Sequence, residues 1–235
     1  MPDQEASLRA IKELFDKKVR PKEIAFTYFG WSGILLRTHK ATIGFDLGKF
    51  VKREAEEMIT NLDLLLYSHT HWDHYHRPGA RRMVKTHNAF VVAEPQVAND
   101  LANRIPSELL ITAKEGAPIR IGDFNIDAIV GVHPRPITLF RVVTDSLRLF
   151  HGADSGYVPL SKYPADVAFL PTGEPSPSCT PETALQKAID LQPTIAVAVH
   201  GGTRETQKFQ KLIENTLPQV QVIIPEPFKL VQVTL

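Results

Sequence analysis

Four of the nine histidines in this 235-residue chain fall in one stretch, "SHTHWDHYH", running from Ser68 to His76. Neutral imidazole is the commonest protein ligand for borderline divalent metals, and carboxylate oxygen is a harder complement. His69 and His71 are two residues apart, so on extended backbone they point the same way. Once the chain bends, Asp73 and His74 can address a neighbouring point. The pattern H-x-H-x-D-H therefore offers two ligand pairs to two adjacent positions. That suits a dinuclear site, in which the metals sit about 3.5–4 Å apart. Four ligands do not complete two such sites, so the rest must come from elsewhere. His133 ends "DAIVGVH", Asp154 follows "LRLFHGAD", and His200 ends "TIAVAVH" just before "GG". Each sits where a strand pattern gives way to a loop, the place where rigid elements present functional groups.

The elements that must position these residues follow from patterning. Leu8, Ile11, Leu14 and Phe15 have helical spacing, which predicts an amphipathic helix over residues 6–17. "IAFTYF", "ILLRT" and "ATIGFD" read as short strands divided by "GWSG" and "HK". "LDLLLYS" is apolar without alternation, as in a buried strand, and runs directly into the histidine cluster. "GARRMVKTH" and "PQVANDLANR" read as helices around the strand "AFVVA". From 118 to 151 the pattern is β-rich. "DVAFLP" and "TIAVAVH" follow as strands. Between them Thr180 is the expected N-cap of a helix with Pro181 in its first position. "ETQKFQKLIENTL" is a helix, and "VQVIIP" and "FKLVQV" close the chain as strands. No linker or sequence repeat is evident, so residues 1–235 read as one domain, with residues 1–20 an N-terminal helical extension. Runs of strands followed by helices suggest layered sheets with helices outside.

Composition narrows the function classes. Hydrophobic residues make up 43% and charged residues 23%, close to a globular average. A net charge of +1 offers no strong field to a polyanion or a membrane. No apolar run approaches the roughly 20 residues of a membrane span, and the N-terminus carries no apolar core of signal-peptide length. Cys179 is the single cysteine, so no internal disulfide is expected. The reading is a cytoplasmic protein with a small-molecule substrate, no nucleic acid and no membrane partner. Its oligomeric state is open.

The cluster, followed by a lone histidine, a lone aspartate and a last histidine, resembles the metallo-β-lactamase superfamily in order and spacing from about residue 24 to 233. "FGWSGILLRT", "IGFD" and "LPTGEPSPSCTPETALQKAIDLQPTIAVAVHGG" are similar to the metal-dependent hydrolases that include the L-ascorbate phosphate lactonase. The resemblance implies an α/β (α+β) fold, an αββα sandwich of two mixed β-sheets with outer helices. It implies two divalent metal ions, zinc first, with manganese or iron as alternatives. By position, His69, His71 and His133 would hold one metal and Asp73, His74 and His200 the other. Asp154 would bridge them, a water or hydroxide being the second bridge. Asp46, ending "ATIGFD", matches a family aspartate that orients a ligand imidazole. This chain departs from the pattern at Trp31, where many relatives have histidine, at His76, where aspartate is frequent, and at "GA" before Asp154.

Two such cations lower the pKa of a shared water from about 15.7 towards 7 and polarise a carbonyl or phosphoryl oxygen. The expected chemistry is hydrolysis of a lactone, ester or phosphodiester, with Asp73 and Asp154 as the catalytic carboxylates. Trp31, Trp72, His76, His151 and Arg204 are the candidates for substrate contact. Thr203 and Arg204 open the last helix, where a phosphate or carboxylate could sit. Cys179 reads as an ordinary loop cysteine. Three rivals share the motif: a phosphodiesterase or nuclease on the same fold, an iron-dependent redox enzyme, and a non-catalytic metal-binding protein. A nuclease needs a basic groove, which +1 net charge and the absence of a basic run do not supply. No flavin domain is present to supply an oxygen reductase with electrons.

Overall fold

The computed structural model describes residues 4–235. In chain order, the first elements are α1 (Gln4–Asp16), β1 (Glu23–Tyr28), β2 (Ile34–Arg37), β3 (Thr42–Phe45), α2 (Arg53–Glu56) and β4 (Leu64–Tyr67). Next come α3 (Arg77–His87), β5 (Phe90–Ala93), α4 (Pro95–Leu101) and β6 (Leu110–Thr112). The strands β7 (Ile119–Ile121), β8 (Phe124–Val130), β9 (Thr138–Thr144), β10 (Leu147–His151) and β11 (Val167–Pro171) follow. The chain closes with α5 (Pro181–Leu191), β12 (Ile195–Val199), α6 (Thr203–Thr216), β13 (Gln221–Ile223) and β14 (Leu230–Thr234).

The chain divides into two compact units, one of residues up to Lys114 together with Glu226–Leu235, the other Glu115–Pro225. Each contains one seven-stranded mixed sheet with flanking helices, the α/β architecture that the family resemblance implies. The strand orders are β14-β1-β2-β3-β4-β5-β6 and β13-β12-β11-β10-β9-β8-β7. In the first sheet β14, β1, β2 and β3 pair antiparallel, and β3 to β6 pair parallel. The second repeats this scheme: β7 to β10 antiparallel, then β10 to β13 parallel. The sequence shows no repeat, but the pairing scheme occurs twice.

In the first unit, Ile11 and Leu14 of α1, Ala80, Met83 and Val84 of α3, and Val97 and Leu101 of α4 bury against Leu65, Tyr67 and Val91. The N-terminal helix thus belongs to the first unit's core. Arg37 of β2 donates to the carbonyls of Leu14, Phe15 and Lys17, satisfying the C-terminal end of α1. Glu94 caps α4, its carboxylate accepting from the amides of Gln96 and Val97. In the second unit, Ala184, Ala188 and Leu191 of α5 and Phe209 and Ile213 of α6 cover Ala168, Leu170, Ala196 and Ala198. Thr180 caps α5 as its type and place predict, in a reciprocal box with Thr183. The last helix starts at Thr203, with Gly202 and not Thr203 as its cap residue.

Phe209 is fully buried in the second unit's core. Phe209→Ala should lower stability by about 3–5 kcal/mol. Urea unfolding of the two proteins measures it; a loss under about 1 kcal/mol would mean that α6 is not packed as described.

Candidate metal centre

In the first unit the parallel register sets Phe45 of β3 opposite Leu66 of β4, and the Asp46 amide donates to the Leu66 carbonyl at 2.9 Å. Asp46 and Ser68 therefore leave adjacent strands side by side. Asp46 is fully buried. Its Oδ1 accepts from the Ser68 amide at 2.7 Å, and its Oδ2 accepts from the Ser68 hydroxyl at 2.6 Å. The same Oδ2 lies 2.8 Å from His74 Nδ1. A carboxylate only accepts, so His74 carries its proton on Nδ1 and its Nε2 keeps a lone pair. Ser68 spends its hydroxyl proton on Asp46, so the same oxygen accepts from His69 Nδ1 at 2.9 Å. His69 therefore also keeps its lone pair on Nε2, the tautomer that a metal ligand needs. The His69 ring lies 4.5 Å from that of His71 and 4.2 Å from that of His74. Asp73 Oδ2 is 3.6 Å from His74 Nε2. Burial raises the Asp73 carboxyl above its ordinary value.

The loop that carries these side chains is held from beneath by Gly48. A Cβ there would lie 2.1 Å from the Asp73 carbonyl oxygen, so no larger residue fits. Beside it Trp31, Phe50 and Trp72 form a row, with ring centroids 6.3 Å and 5.5 Å apart. Trp72 is 59% exposed.

The second unit gathers His133, Asp154 and His200. Asp154 Oδ2 lies 3.4 Å from His133 Nε2 and 3.8 Å from His200 Nε2, so one carboxylate oxygen faces both imidazoles. The β11–β12 register brings Gly173 beside His200, and His200 Nδ1 donates to the Gly173 carbonyl at 3.3 Å. His133 Nδ1 is 3.2 Å from the Arg135 amide and 3.3 Å from its carbonyl. A ligand role for its Nε2 requires the tautomer that donates to the carbonyl. Burial pushes the His133 imidazole below its ordinary value, toward the neutral form that ligation requires. Asp46 (φ 46°), Ala153 (φ 50°) and His200 (φ 47°) adopt left-handed backbone, which side-chain-bearing residues seldom do outside turns and functional sites.

The other expected contacts divide. His76 precedes α3, and a Cβ at Gly79 would meet both its ring and Glu56, which places it at the start of that helix. His151 is buried at the end of β10, paired opposite Phe140. Arg204 is exposed on α6, in a groove that also holds Glu174, Glu182, Glu205 and Lys208, with Lys208 paired to Glu182. Three carboxylates against two cations give an anion no net attraction there. The Cys179 thiol is buried, pushed up to about 11 by burial, and donates to the Ser155 carbonyl at 3.3 Å; it is a structural thiol. Ser68 and Phe50 were not singled out by the sequence. Ser68 adjoins the first ligand, the one signal that could have found it. A groove of about 480 Å³, lined in part by Arg81, Arg82, Lys85 and Arg104, carries none of these donors. Donor chemistry rather than volume locates the centre.

Seven imidazole and carboxylate donors, with the proton placed off Nε2 on at least two imidazoles, suit zinc, manganese or iron. Solved structures share the fold. Igni18, a metallo hydrolase from Ignicoccus hospitalis, aligns with a TM-score of 0.75 at 21% identity, over 91% of this chain and 99% of that one. YhfI of Bacillus subtilis, a metallo-β-lactamase fold protein, aligns with a TM-score of 0.69 at 16% identity, over 90% and 100%. Two mixed sheets with flanking helices here are the metallo-β-lactamase fold. Residues 44–201 match the model of the beta-lactamase superfamily domain, and the chain belongs to that family. A UPF0173 metal-dependent hydrolase of Aeropyrum pernix is 26% identical over 202 residues, 73% of this chain and 81% of that protein.

Asp46 is the acceptor that sets both imidazoles. Asp46→Asn keeps its shape but brings an amide donor to a position where His74 donates. Metal affinity, read by competition with a chromophoric chelator, should fall by about 10–100-fold. Unchanged affinity would show that the tautomers are set without Asp46.

Proposed function

We propose that the protein is a metal-dependent hydrolase of small molecules that carry a lactone, ester or phosphodiester bond. The observation that carries this reading is the buried Asp46–Ser68 pair, which leaves His69 and His74 with Nε2 lone pairs. A buried network of that kind serves ligation, since packing alone has no need of a defined tautomer. In this reading His69, His71, His133 and Asp154 would hold one ion, and Asp73, His74 and His200 would hold a second. Zinc suits the histidine-rich set; manganese and iron suit it as well. Divalent cations there supply Lewis acidity, polarising a substrate oxygen and lowering the pKa of water towards 7.

The chain's own residues do the rest. Asp73 keeps one oxygen toward His74 and has a second with which to orient the attacking water and receive its proton. Asp154 places negative charge between His133 and His200, where it favours cation binding. Trp31, Phe50 and Trp72 offer an apolar wall to the substrate. Of the five exposed large hydrophobics among the described residues, Trp72, Val130 and Val132 lie within three residues of a proposed ligand. That distribution favours a substrate with an apolar part over a bare sugar phosphate. Similarity of "LPTGEPSPSC" and "AVHGG" to the L-ascorbate phosphate lactonase branch places lactones first in a substrate panel. No described helix is long and apolar enough to cross a membrane. We propose a cytoplasmic enzyme, as the sequence reading expects.

Elemental analysis of untagged protein should find about two metal ions per chain. Turnover of bis-p-nitrophenyl phosphate or of a lactone should be lost to a chelator and restored by metal. Asp154→Ala should reduce turnover by more than about 100-fold, beyond the loss typical of removing a ligand's supporting partner, with the far-UV spectrum unchanged. Full activity in Asp154→Ala would remove Asp154 from the centre, and stoichiometric iron without hydrolysis would turn the reading to redox chemistry.

A further inference from the structure

Lys187 lies on α5 among Ala184, Ala188 and Leu191, fully buried. Burying an ammonium is expensive, and an apolar residue of similar size would be expected to fill such a site at least as favourably. Burial pulls the Lys187 ammonium down to about 8, against opposing contributions from Cys179 and Asp154. Its Nζ donates to the carbonyl of Ser155, the residue after Asp154. The Cys179 thiol donates to the same carbonyl at 3.3 Å.

Ser155 is also fully buried, and its side chain joins the loops of two proposed ligands. Its Oγ accepts from the amide of Val132, the residue before His133, at 2.8 Å, and donates to the Gly156 carbonyl at 2.9 Å. The Gly156 amide returns to the Val132 carbonyl at 2.7 Å. The Ser176 hydroxyl holds the Asp154 carbonyl at 2.7 Å. A Cβ at Gly131 would lie 2.6 Å from Ser155 Oγ, so the close approach of the two loops needs glycine there.

We infer that Lys187 and Ser155 are positioning residues for the metal centre, fixing the backbone from which Asp154 and His133 project. The hydrogen bonds they make here are to backbone groups. Lys187 anchors the Ser155 carbonyl, and Ser155 fixes the separation of the two ligand loops. Resting on the metal reading above, this predicts that Lys187 acts on the metal more than on the fold. Replacing it by an apolar residue should leave the metal-free protein as stable or more stable, while metal binding weakens.

The test titrates metal-free wild type, Lys187→Met and Ser155→Ala with cobalt(II), reading visible absorption and affinity, and measures urea unfolding without metal. The expected result for both variants is a changed cobalt spectrum and affinity lower by about 10–100-fold. Lys187→Met should also unfold at the wild-type urea concentration or above. Wild-type spectrum and affinity in both variants would overturn the inference and leave Lys187 as packing. Should Lys187→Met fail to fold, Ser155→Ala, which retains the lysine, decides by the same readouts. A wild-type protein that takes up no cobalt would overturn the metal reading itself, and this inference with it.

Discussion

One buried carboxylate organises the first unit's imidazole cluster. Asp46 accepts from the Ser68 amide, the Ser68 hydroxyl and His74 Nδ1, with no exposure to water. Three donors offset the desolvation of the charge, and in a buried setting each is held in a narrow geometry. The consequence passes along the chain of protons. Asp46 takes the proton of Ser68, Ser68 takes that of His69, and Asp46 takes that of His74. Two imidazoles are thereby committed to one tautomer before any ligand arrives. The fold contributes the parallel β3–β4 register that sets Asp46 and Ser68 at adjacent strand ends.

The second unit solves the same problem by other means. Its sheet repeats the pairing scheme of the first, and its donors likewise follow strand ends. Its imidazoles meet backbone through their Nδ1 atoms. His200 Nδ1 faces the Gly173 carbonyl, and His133 Nδ1 faces the backbone of Arg135. Carbonyls are weaker acceptors than a carboxylate, so the burden of order shifts to the backbone that carries them. Left-handed conformations at Ala153 and His200 add strain of order 1 kcal/mol or more each, which persists only where the surroundings over-determine it.

Much of this was legible in the sequence, and the limits have physical causes. The proposed ligands in "SHTHWDHYH" stand out because histidine at such density has no packing explanation. The strand ends were visible because apolar runs such as "LDLLLYS" and "TIAVAVH" stop abruptly at polar residues. Thr180 and Pro181 announced α5 through capping chemistry. By contrast α2 and β6, of four and three residues, are too short to show a period. Ser68 and Phe50 have unremarkable types, and only the folded neighbourhood gives them roles. The helix around Lys187 carried a usable signal: position 187 is three after Ala184 and four before Leu191, on the apolar stripe. A lysine there conflicts with the burial its spacing implies.

That conflict is informative because the rest of α5, with its Thr180 cap and its apolar stripe, follows the local rules. A well-folding sequence satisfies propensity, pattern and capping together, and breaks them where something other than stability is at stake. Left-handed backbone also occurs at turns elsewhere, but several exceptions adjoin the two proposed ligand sets: left-handed Asp46 and His200, buried Asp46, buried Lys187, and exposed Trp72 and Val132. Each is unfavourable by itself. Their convergence on loops that carry imidazole and carboxylate donors is what a metal centre requires, since cation binding would recover what the isolated fold gives up. A histidine-rich surface loop would need none of them.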